Sequence, residues 1–355
     1  MYIPKVTIVV SPRERFSFAR QSLESIYKHT QIPFRLVYVD GNSPAEVQQY
    51  LLDQAQQRQF QLIRTEYYLS PNRARNLGLA LVETPYVAFV DNDVIVADGW
   101  LSALIDCAEK TGATIVGPLM CQDEPVHETI HFAGGESRII EDVKGRRLLR
   151  EKMYKQGQKL SQKRFHFQRM PTELCEFHCM LVRRDIFDQV GFFDEAILNT
   201  KEHLDFCIIV AQAGGTVYFE PESLVTYVPG TLKSLADFHY YMLRWSDAWE
   251  LASLGHLRQK WNLAENTYFT QRYKALGWRR RQAILLPLVR RLTLGVNNQL
   301  LEKVMMYGLL APLEKTLNRY LTYRYAKSFS AQASQPTTLT PPSPRKLAAA
   351  ETGTP

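Results

Sequence analysis

The sequence predicts an α/β protein with a mostly parallel sheet flanked by helices, followed by a helical C-terminal extension. Three observations lead to this fold class. Short β-branched apolar runs alternate with helical patterns through the first 117 residues, as successive βαβ units require. Asp40 and Asp91 each follow one of these runs directly, where ligands bind in parallel sheets. After residue 230 the pattern becomes predominantly helical.

The first part of the chain is predicted to contain five strands and four helices. Each strand is a short apolar run, and the helices at Ser17 and Pro44 begin with capping or first-turn signals. The predicted strands are Lys5–Val10, Arg35–Val39, Phe60–Arg64, Tyr86–Val90 and Thr114–Gly117. The predicted helices are Ser17–His29, Pro44–Arg58, Asn72–Val82 and Gly99–Lys110.

A basic segment, residues 131–170, interrupts this alternation. Its sparse helical spacing predicts a mobile loop or an amphipathic flap. Beyond it we expect strands and helices again, and the predicted elements are Cys175–Val182, Arg184–Val190, Leu204–Ala213, Thr216–Phe219 and Leu224–Val228. The expected divisions of the chain are an α/β domain at 1–230, a helical region at 231–329 and a disordered, Pro/Thr/Ala/Ser-rich tail at 330–355.

Composition and charge restrict the class of protein. The 355 residues are 45% hydrophobic, enough for a large core, and the odd number of five cysteines is typical of reduced thiols. The formal charge of +7 reflects basic clusters at 138–169 and 272–291, which indicate an anionic partner or surface. No nucleic-acid module is recognisable, so nucleic acid is not expected as a partner. Because neither a signal pattern nor a run of ~20 apolar residues is present, we expect a cytoplasmic protein.

The segment Tyr86–Trp100 carries the strongest chemical signal. Its apolar strand ends in Asp91-Asn92-Asp93. Because side chains alternate along an extended chain, Asp91 and Asp93 should face one side and Asn92 the other. Two carboxylates at one point repel each other unless a cation lies between them, and their hard oxygens suit Mg²⁺ or Mn²⁺. Such an ion would hold a substrate diphosphate, whereas an isolated Asp-x-Asp is usually a solvated turn.

Several segments, taken together in their order along the chain, resemble glycosyltransferase family 2, the inverting nucleotide-sugar transferases of the GT-A fold. They are VTIVV, VYVDGNSP, NRARNLGLALVETPYVAFVDND, FAGG, CMLVRRDIFDQVGFFDE and KEHLDFCIIVAQAGGTVYFEPES, covering about Lys5 to Gly230. The resemblance implies a GT-A domain at 1–230. It also implies transfer of a sugar from a nucleotide-diphosphate donor to a hydroxyl acceptor with Mn²⁺ or Mg²⁺. It does not identify the sugar.

The resemblance also implies roles for individual residues. Asp40 matches the acid that holds the nucleotide base, Arg75 matches an arginine that approaches the nucleotide, and Asp93 would bind the metal directly with Asp91 beside it. Asn76 and Gly78 would permit close packing at the donor site. The residues expected to contact the donor are Ser11, Pro12, Asp40, Arg75, Asn76, Asp91 and Asn92.

The base that deprotonates the acceptor should lie in the segment Glu202-His203-Leu204-Asp205. In the family the base is usually the Asp of a Glu-Asp pair, and here His203 stands at that position. Histidine has an ordinary pKa near 6.5 and can accept a proton itself. Glu202 and His203 are therefore equal candidates for the base, with Asp205 as an orienting group or as a charge complementing the helix N-terminus. Tyr227 is a second departure, because many relatives carry there a His that completes the metal shell.

The leading hypothesis is a metal-dependent inverting glycosyltransferase acting in surface polysaccharide or glycolipid assembly. Its acceptor would be a glycan or a lipid-linked glycan, and its basic segments would contact anionic lipid at the inner face of the membrane. One alternative is a sugar nucleotidyltransferase, disfavoured because no glycine-rich phosphate loop follows the first strand. Another is a non-catalytic GT-A-like binding or scaffold subunit, suggested by His203 and Tyr227.

Overall fold

The main sheet of the protein is built from short strands whose residues are almost all buried. The computed structural model describes residues 3–162, 166–229, 232, 234–293, 299–332 and 338–340. Within them the strands are β1 (Val6–Ser11), β2 (Arg35–Gly41), β3 (Gln61–Thr65), β4 (Tyr86–Asp91), β5 (Val94–Val96), β6 (Ile115–Gln122), β7 (Thr129–Phe132), β8 (Gly135–Glu141), β9 (Arg147–Met153), β10 (Met170–Thr172), β11 (Cys179–Arg183), β12 (Val217–Tyr227) and β13 (Thr338–Thr340).

Helices cover the sheet and form most of the chain after residue 234. They are α1 (Ala19–His29), α2 (Ala45–Arg58), α3 (Pro71–Leu79), α4 (Trp100–Thr111), α5 (Ile186–Val190), α6 (Glu202–Gln212), α7 (Leu235–Arg244), α8 (Asp247–Trp261), α9 (Thr267–Lys274), α10 (Trp278–Arg280), α11 (Leu286–Leu292), α12 (Gln299–Lys303) and α13 (Ala311–Gln332). Two π-helical segments, Arg281–Leu285 and Val304–Leu310, connect the later helices. Across the described ranges, none of these helices combines the length and apolarity needed to cross a bilayer.

The strand order brings two acidic strand ends to one edge. The order is β10-β12-β6-β11-β4-β1-β2-β3-β13, with β5 paired to β12 and β7 to β6. Strands β4, β1, β2 and β3 run parallel, and β11 is antiparallel to both β4 and β6. Ser11 lies opposite Asp91 in the register of β1 and β4. The carboxyl ends of β2 and β4, with Asp40 and Asp91, therefore share one edge.

Both faces of the sheet are buried, as expected for parallel strands covered by helices. Ile8 and Val10 of β1 belong to one core cluster, and Val9 belongs to another. Helix α3 lies directly against β1 because Gly78 has no side chain. A Cβ at Gly78 would lie 2.3 Å from Cγ1 of Val9. The close packing predicted at Gly78 is therefore present.

Three predicted segments differ from the structure. The strand expected at Cys175–Val182 begins only at Cys179, because the chain turns at residues 177–178. The strands expected at Thr216–Phe219 and Leu224–Val228 are one strand, β12, whose register shifts between Glu220 and Leu224. Within residues 131–170 the hairpin β8–β9 forms, and its mobility stays a prediction. Most of the tail predicted at 330–355 lies outside the described residues.

Candidate functional site

Asp91, the last residue of β4, is surrounded by basic side chains at the sheet edge. Its Oδ1 lies 3.3 Å from Nη2 of Arg75, and its Oδ2 lies 3.1 Å from both Nη1 of Arg13 and Nδ1 of His178. Burial would raise the pKa of Asp91, but these groups outweigh it and hold the pKa well below its usual range. Asp91 is therefore an ionised carboxylate fixed by three neighbours.

Asp93 is equally buried but less well paired. Its Oδ1 has no hydrogen-bond partner among the residues that the structure describes. Burial raises the pKa of Asp93, and the nearby charge of Asp91 adds to that effect. Asn92, between the two, accepts a hydrogen bond from the backbone N of Arg13 at 2.7 Å. An unpartnered buried carboxylate oxygen is costly, which is the condition that a bound cation relieves.

The residues at this edge fit a divalent cation. Donor atoms of Asp91, Asp93 and His178 all lie within 4.8 Å of one another, and all three side chains are buried. The sequence predicted the two aspartates as ligands. His178 was not among the predicted ligands. Tyr227, at the position where a metal-binding His was expected, instead stacks on His178 with ring centroids 4.1 Å apart.

A second group of ionisable side chains surrounds Glu176, in the loop before β11. Its carboxylate lies 4.0 Å from Nε2 of His131 on β7, 4.0 Å from Nε2 of His178 and 3.5 Å from Nε2 of His203 on α6. Burial alone would raise the pKa of Glu176. The three imidazoles outweigh it and lower the pKa to about 2.

The three candidate residues at the start of α6 have different surroundings. Oε1 of Glu202 lies 3.8 Å from Nη1 of Arg75, and both Glu202 and His203 line a pocket. Asp205 instead accepts hydrogen bonds from Nζ of Lys260 and Nε1 of Trp261, both at 2.8 Å. Asp205 fastens α6 to α8, so its carboxylate does not orient His203.

The pocket beside α6 has a volume of about 390 Å³ and is strongly charged. The ionisable residues lining it are Arg13, His131, Glu151, Lys152, Glu176, His178, Lys201, Glu202, His203, Tyr227, Arg244, Glu250, Arg272 and Arg279. A neighbouring cavity of about 250 Å³ is bordered by Asp93 and shares Arg13, Tyr227, Trp245 and Arg279 with the first. The two cavities meet beside the Asp-x-Asp segment.

One wall shared by both cavities depends on a buried glutamate. Glu14 accepts a hydrogen bond from Nε1 of Trp245 at 2.8 Å, and its Oε2 lies 3.1 Å from Nε of Arg244. Burial would raise the pKa of Glu14, but Arg13, Arg244 and Arg15 lower it to about 2. Nη1 and Nη2 of Arg244 are buried without hydrogen-bond partners in the described part of the chain. The wall therefore offers cationic donors to an anion.

The remaining predicted donor residues lie close to the edge, but most are engaged by the protein. Asp40 accepts hydrogen bonds from the backbone N and Oγ of Ser43 at 3.0 and 2.9 Å and pairs with Arg64. Burial raises the pKa of Asp40 despite these donors. The backbone O of Ser11 accepts from the N of Asn92 at 3.0 Å, and the O of Pro12 lies 3.5 Å from the hydroxyl of Tyr240.

Asn76 has a different position from the one that the motif implied. Its amide donates to the backbone O of Phe193 at 2.9 Å and to Glu195, and it accepts from the N of Phe193 at 2.9 Å. It thus holds the turn after α5 and does not line either cavity. Arg75, next to it, extends to Asp91 with its guanidinium 4.0 Å above the ring of Phe177.

Several residues of the site were not among the predicted site residues, including Arg13, His131, Glu176, His178 and Arg244. They are distant in sequence from the Asp-x-Asp segment and are brought to it by the fold. The one local signal was Glu176, a charged residue inside an otherwise apolar run. The sequence around His131 and His178 does not indicate a functional role, because a single buried His is common.

A mostly parallel sheet whose edge presents Asp-x-Asp beside charged cavities defines a GT-A-type domain. The chain belongs to the family described as Glycosyl transferase family 2, whose model matches residues 7–191, just over half of the chain. The fold is similar to that of GalNAc-T7, solved with UDP, GalNAc and Mn²⁺. The TM-score is 0.50 at 16% identity, covering 79% of this chain and 58% of that one.

Curated relatives match over about three fifths of the chain. The chain is 25% identical over 228 residues to the pre-mycofactocin glycosyltransferase of Mycobacterium tuberculosis, covering 62% of this chain and 42% of the relative. It is 25% identical over 220 residues to the uncharacterized protein y4gI of Sinorhizobium fredii, covering 59% of this chain and 23% of the relative. The chain therefore spans less than half the length of these relatives.

Proposed function

We propose that the protein is a metal-dependent, inverting glycosyltransferase that uses a nucleotide-diphosphate sugar. The observation that carries the proposal is the convergence of Asp91, Asp93 and His178 beside a pocket lined by Glu202 and His203. A glycosyltransferase among the relatives and a GT-A neighbour solved with UDP, GalNAc and Mn²⁺ support the donor class. Asp91 and Asp93 would hold Mn²⁺ or Mg²⁺ beside His178, and the ion would supply Lewis-acid stabilisation of the diphosphate.

The protein's own cations support binding of the donor diphosphate. Arg13, Arg244 and Arg279 line the pocket beside the Asp-x-Asp segment, and the first and third also line the adjoining cavity. Their N–H groups stabilise the negative charge that grows on the diphosphate as the bond to the sugar breaks. Because the guanidiniums of Arg13 and Arg244 are buried and fixed by acidic neighbours, they are already oriented before the donor binds.

Glu202 or His203 acts as the general base in this proposal. It removes the proton of the acceptor hydroxyl, whose oxygen attacks the anomeric carbon as the bond to the nucleoside diphosphate breaks. His203 is the better supported candidate, since Glu176 lies 3.5 Å from its Nε2 and would stabilise the imidazolium that forms. Oε1 of Glu202 instead lies 3.8 Å from Nη1 of Arg75, so this carboxylate is already paired with a cation of the protein.

The test is release of nucleoside diphosphate from a panel of nucleotide sugars with Mn²⁺ or Mg²⁺. We expect slow, metal-dependent release from at least one donor and its loss by more than about 100-fold in Asp93→Asn, since a metal contributes several kcal/mol to such a transition state. Asp188→Asn, an exposed carboxylate on α5, is the matched control. Binding of donors without turnover would indicate a scaffold subunit, and formation of pyrophosphate a nucleotidyltransferase; either result would overturn the proposal.

We also propose that the acceptor is lipid-linked and that α13 brings the protein to an anionic membrane surface. Helix α13 contacts the rest of the protein through polar residues and through the ring of Tyr325, which lies against Tyr68 and Trp249. Glu314 pairs with Arg280 at 2.6 Å, and the amide of Asn318 donates to the O of Met242 at 2.6 Å. Its outward side and the preceding π-helical segment carry large exposed apolar residues: Leu309, Leu313, Leu317, Tyr320 and Tyr323.

The charge around this apolar side favours anionic lipid over other partners. Residues 278–327 contain ten basic and two acidic residues, a net charge of +8 against +7 for the whole chain. Basic residues beside exposed leucines and tyrosines are typical of helices that lie in the lipid interface. A glycan assembled on a lipid carrier would then be presented to a protein held at that surface.

Flotation with vesicles tests the membrane proposal. Vesicles containing phosphatidylglycerol should carry the protein, whereas phosphatidylcholine alone should not, and salt should weaken the binding. The double substitution Leu313→Glu and Leu317→Glu should abolish flotation, while Leu251→Glu, at an exposed position on α8, should not. A dimer in gel filtration that the same double substitution dissociates would assign this side to a second copy of the chain and refute the lipid proposal.

A further inference from the structure

The cluster around Glu176 has the spacing of ligands around a metal ion rather than that of hydrogen bonds. The three imidazole nitrogens lie 3.5–4.0 Å from the carboxylate. Hydrogen bonds between such groups have lengths of about 2.7–3.2 Å. Ligands that bind one ion at about 2.0–2.2 Å, with angles of about 110–120°, are separated by about 3.3–3.8 Å. The distances between the carboxylate and the imidazole nitrogens are therefore close to those of ligands around one ion.

The second ring nitrogens of two of these histidines face acceptor oxygens. Nδ1 of His131 lies 2.8 Å from Oε1 of Gln122, which can only accept, so Nδ1 carries the hydrogen and the lone pair resides on Nε2. Nδ1 of His178 lies 3.1 Å from Oδ2 of Asp91, without the geometry of a hydrogen bond. The Nε2 atoms of both rings lie 4.0 Å from the carboxylate of Glu176. Carboxylates and amides that fix a histidine in this way are the usual outer partners of metal-binding histidines.

A cation at the centre of this cluster would bind the carboxylate of Glu176 and unprotonated Nε2 atoms together. A buried carboxylate and imidazole nitrogens that converge on one point are stabilised by such an ion. The three ligand atoms lie within 4.8 Å of one another, and all three residues are buried. His203, whose Nε2 is buried without a hydrogen-bond partner in the described residues, lies beside the cluster, 3.5 Å from the carboxylate of Glu176.

We propose that His131, Glu176 and His178 form a binding site for a borderline divalent cation of the Zn²⁺ type. Imidazole ligands favour Zn²⁺ over Mg²⁺, which prefers oxygen. This site differs from the Asp91 and Asp93 position, and the two share only His178. A neutral imidazole has one lone pair, so His178 binds the zinc-type ion through Nε2 and leaves the donor-side ion to carboxylates, phosphates and water.

The position of the site gives the ion a chemical role. All three ligands line the 390 Å³ pocket beside His203, so an open coordination position would face the space available to an acceptor. A cation there would lower the pKa of a coordinated hydroxyl group and so assist its deprotonation. This role rests on the proposed transfer reaction. Binding of the ion does not, since it follows from the ligand geometry alone.

Metal content and affinity of the full chain test the site. Protein dialysed against a chelator is titrated with Zn²⁺ by calorimetry, and the bound metal is counted by mass spectrometry. We expect one tightly bound Zn²⁺ per chain and a higher melting temperature in its presence. His131→Gln and Glu176→Gln should weaken binding by more than about 100-fold, because even outer partners of a metal site contribute about 10–100-fold. His239→Gln, at an exposed position on α7, is the control.

Asp93→Asn separates the two sites. If the inference is correct, this variant keeps its Zn²⁺, and Co²⁺ bound to it gives the visible absorption spectrum of a nitrogen-rich site, which His131→Gln lacks. Loss of Zn²⁺ in Asp93→Asn but not in Glu176→Gln would place the ion at the donor edge and refute the inference. The inference would also be refuted if the unsubstituted protein bound no Zn²⁺ in the titration. Melting temperatures without metal identify any variant that fails to fold, and nucleotide release is measured separately.

Discussion

Loss of either partner of the Glu151–Lys201 pair should destabilise the protein strongly. Nζ of Lys201 lies 2.8 and 2.7 Å from the two carboxylate oxygens of Glu151, and the side chains are only 6% and 10% exposed. Glu151 also accepts hydrogen bonds from the hydroxyl of Tyr268 at 2.6 Å and from Arg272 at 3.2 Å. The pair joins β9 and α9 to the residue that precedes Glu202 on α6.

The Glu151–Lys201 pair as a whole contributes less to the free energy of unfolding than the loss of one of its members costs. Burial would raise the pKa of Glu151, but Lys201 and Arg272 lower it to about 2. Burial also lowers the pKa of Lys201, although Glu151 opposes this. Desolvation therefore offsets most of the attraction. Lys201→Met leaves a buried carboxylate without its main cation, and Glu151→Gln leaves a buried ammonium, so each should cost about 3–5 kcal/mol in the free energy of unfolding.

Urea unfolding followed by tryptophan fluorescence at pH 7 measures these losses. The double variant Glu151→Gln with Lys201→Met removes both charges and keeps an acceptor for Tyr268, so it should lose less than the sum of the two single variants, by at least about 2 kcal/mol. Glu141→Gln, exposed on the same hairpin, should change stability by less than about 0.5 kcal/mol. Additive losses, or single losses below about 1 kcal/mol, would refute this account of the buried pair.

Three further predictions follow from contacts in the site and in the elements that pack against it. Gly78→Ala should cost about 1–3 kcal/mol in urea unfolding, because the new Cβ would overlap β1, whereas Gly255→Ala has open space and should not destabilise. Asp205→Asn should lower the melting temperature but keep turnover within about 10-fold, whereas His203→Ala should lower kcat by about 10²–10⁴-fold; equal effects on kcat would contradict the assignment. Glu14, with a folded pKa of about 2 against an ordinary 4.5, should add about 3 kcal/mol above pH 4.5 that is lost as the pH falls toward 2. Glu14→Gln should remove this part of the pH dependence of unfolding.

The sequence predicted the sheet because the signals for parallel strands are local. An apolar run such as Val6–Val10 has no other favourable position than a buried strand, and the parallel register then places Asp40 and Asp91 at one edge. The Asp-x-Asp segment could be predicted for the same reason, since its residues are adjacent in the sequence. The hairpin β8–β9 was missed as a hairpin because its charged residues mask the alternation: Glu136 contacts Arg138 on its own strand and Arg150 on the partner strand.

The histidine cluster could not be predicted because it depends on three separate elements. His131, Glu176 and His203 come from β7, the turn before β11 and the start of α6, and only the packed sheet brings them together. The donor-site motif had the opposite problem. Arg75 and Asn76 are adjacent, yet the first extends to Asp91 and the second holds the turn at Phe193. Adjacent residues of a helix diverge by about 100°, so a shared motif does not ensure a shared site.

Asp91 links both candidates for the base to the donor edge. Arg75 contacts both Asp91 and Glu202. His178 contacts both Asp91 and Glu176, and Glu176 in turn lies beside His203. Because Asp91 fixes both Arg75 and His178, its loss would disturb both sets of contacts at once, whereas Asp93 has an oxygen that no described residue contacts through a hydrogen bond. The two aspartates of one Asp-x-Asp segment therefore have different roles: Asp91 organises the protein's own charges, and Asp93 is left available to bind an ion.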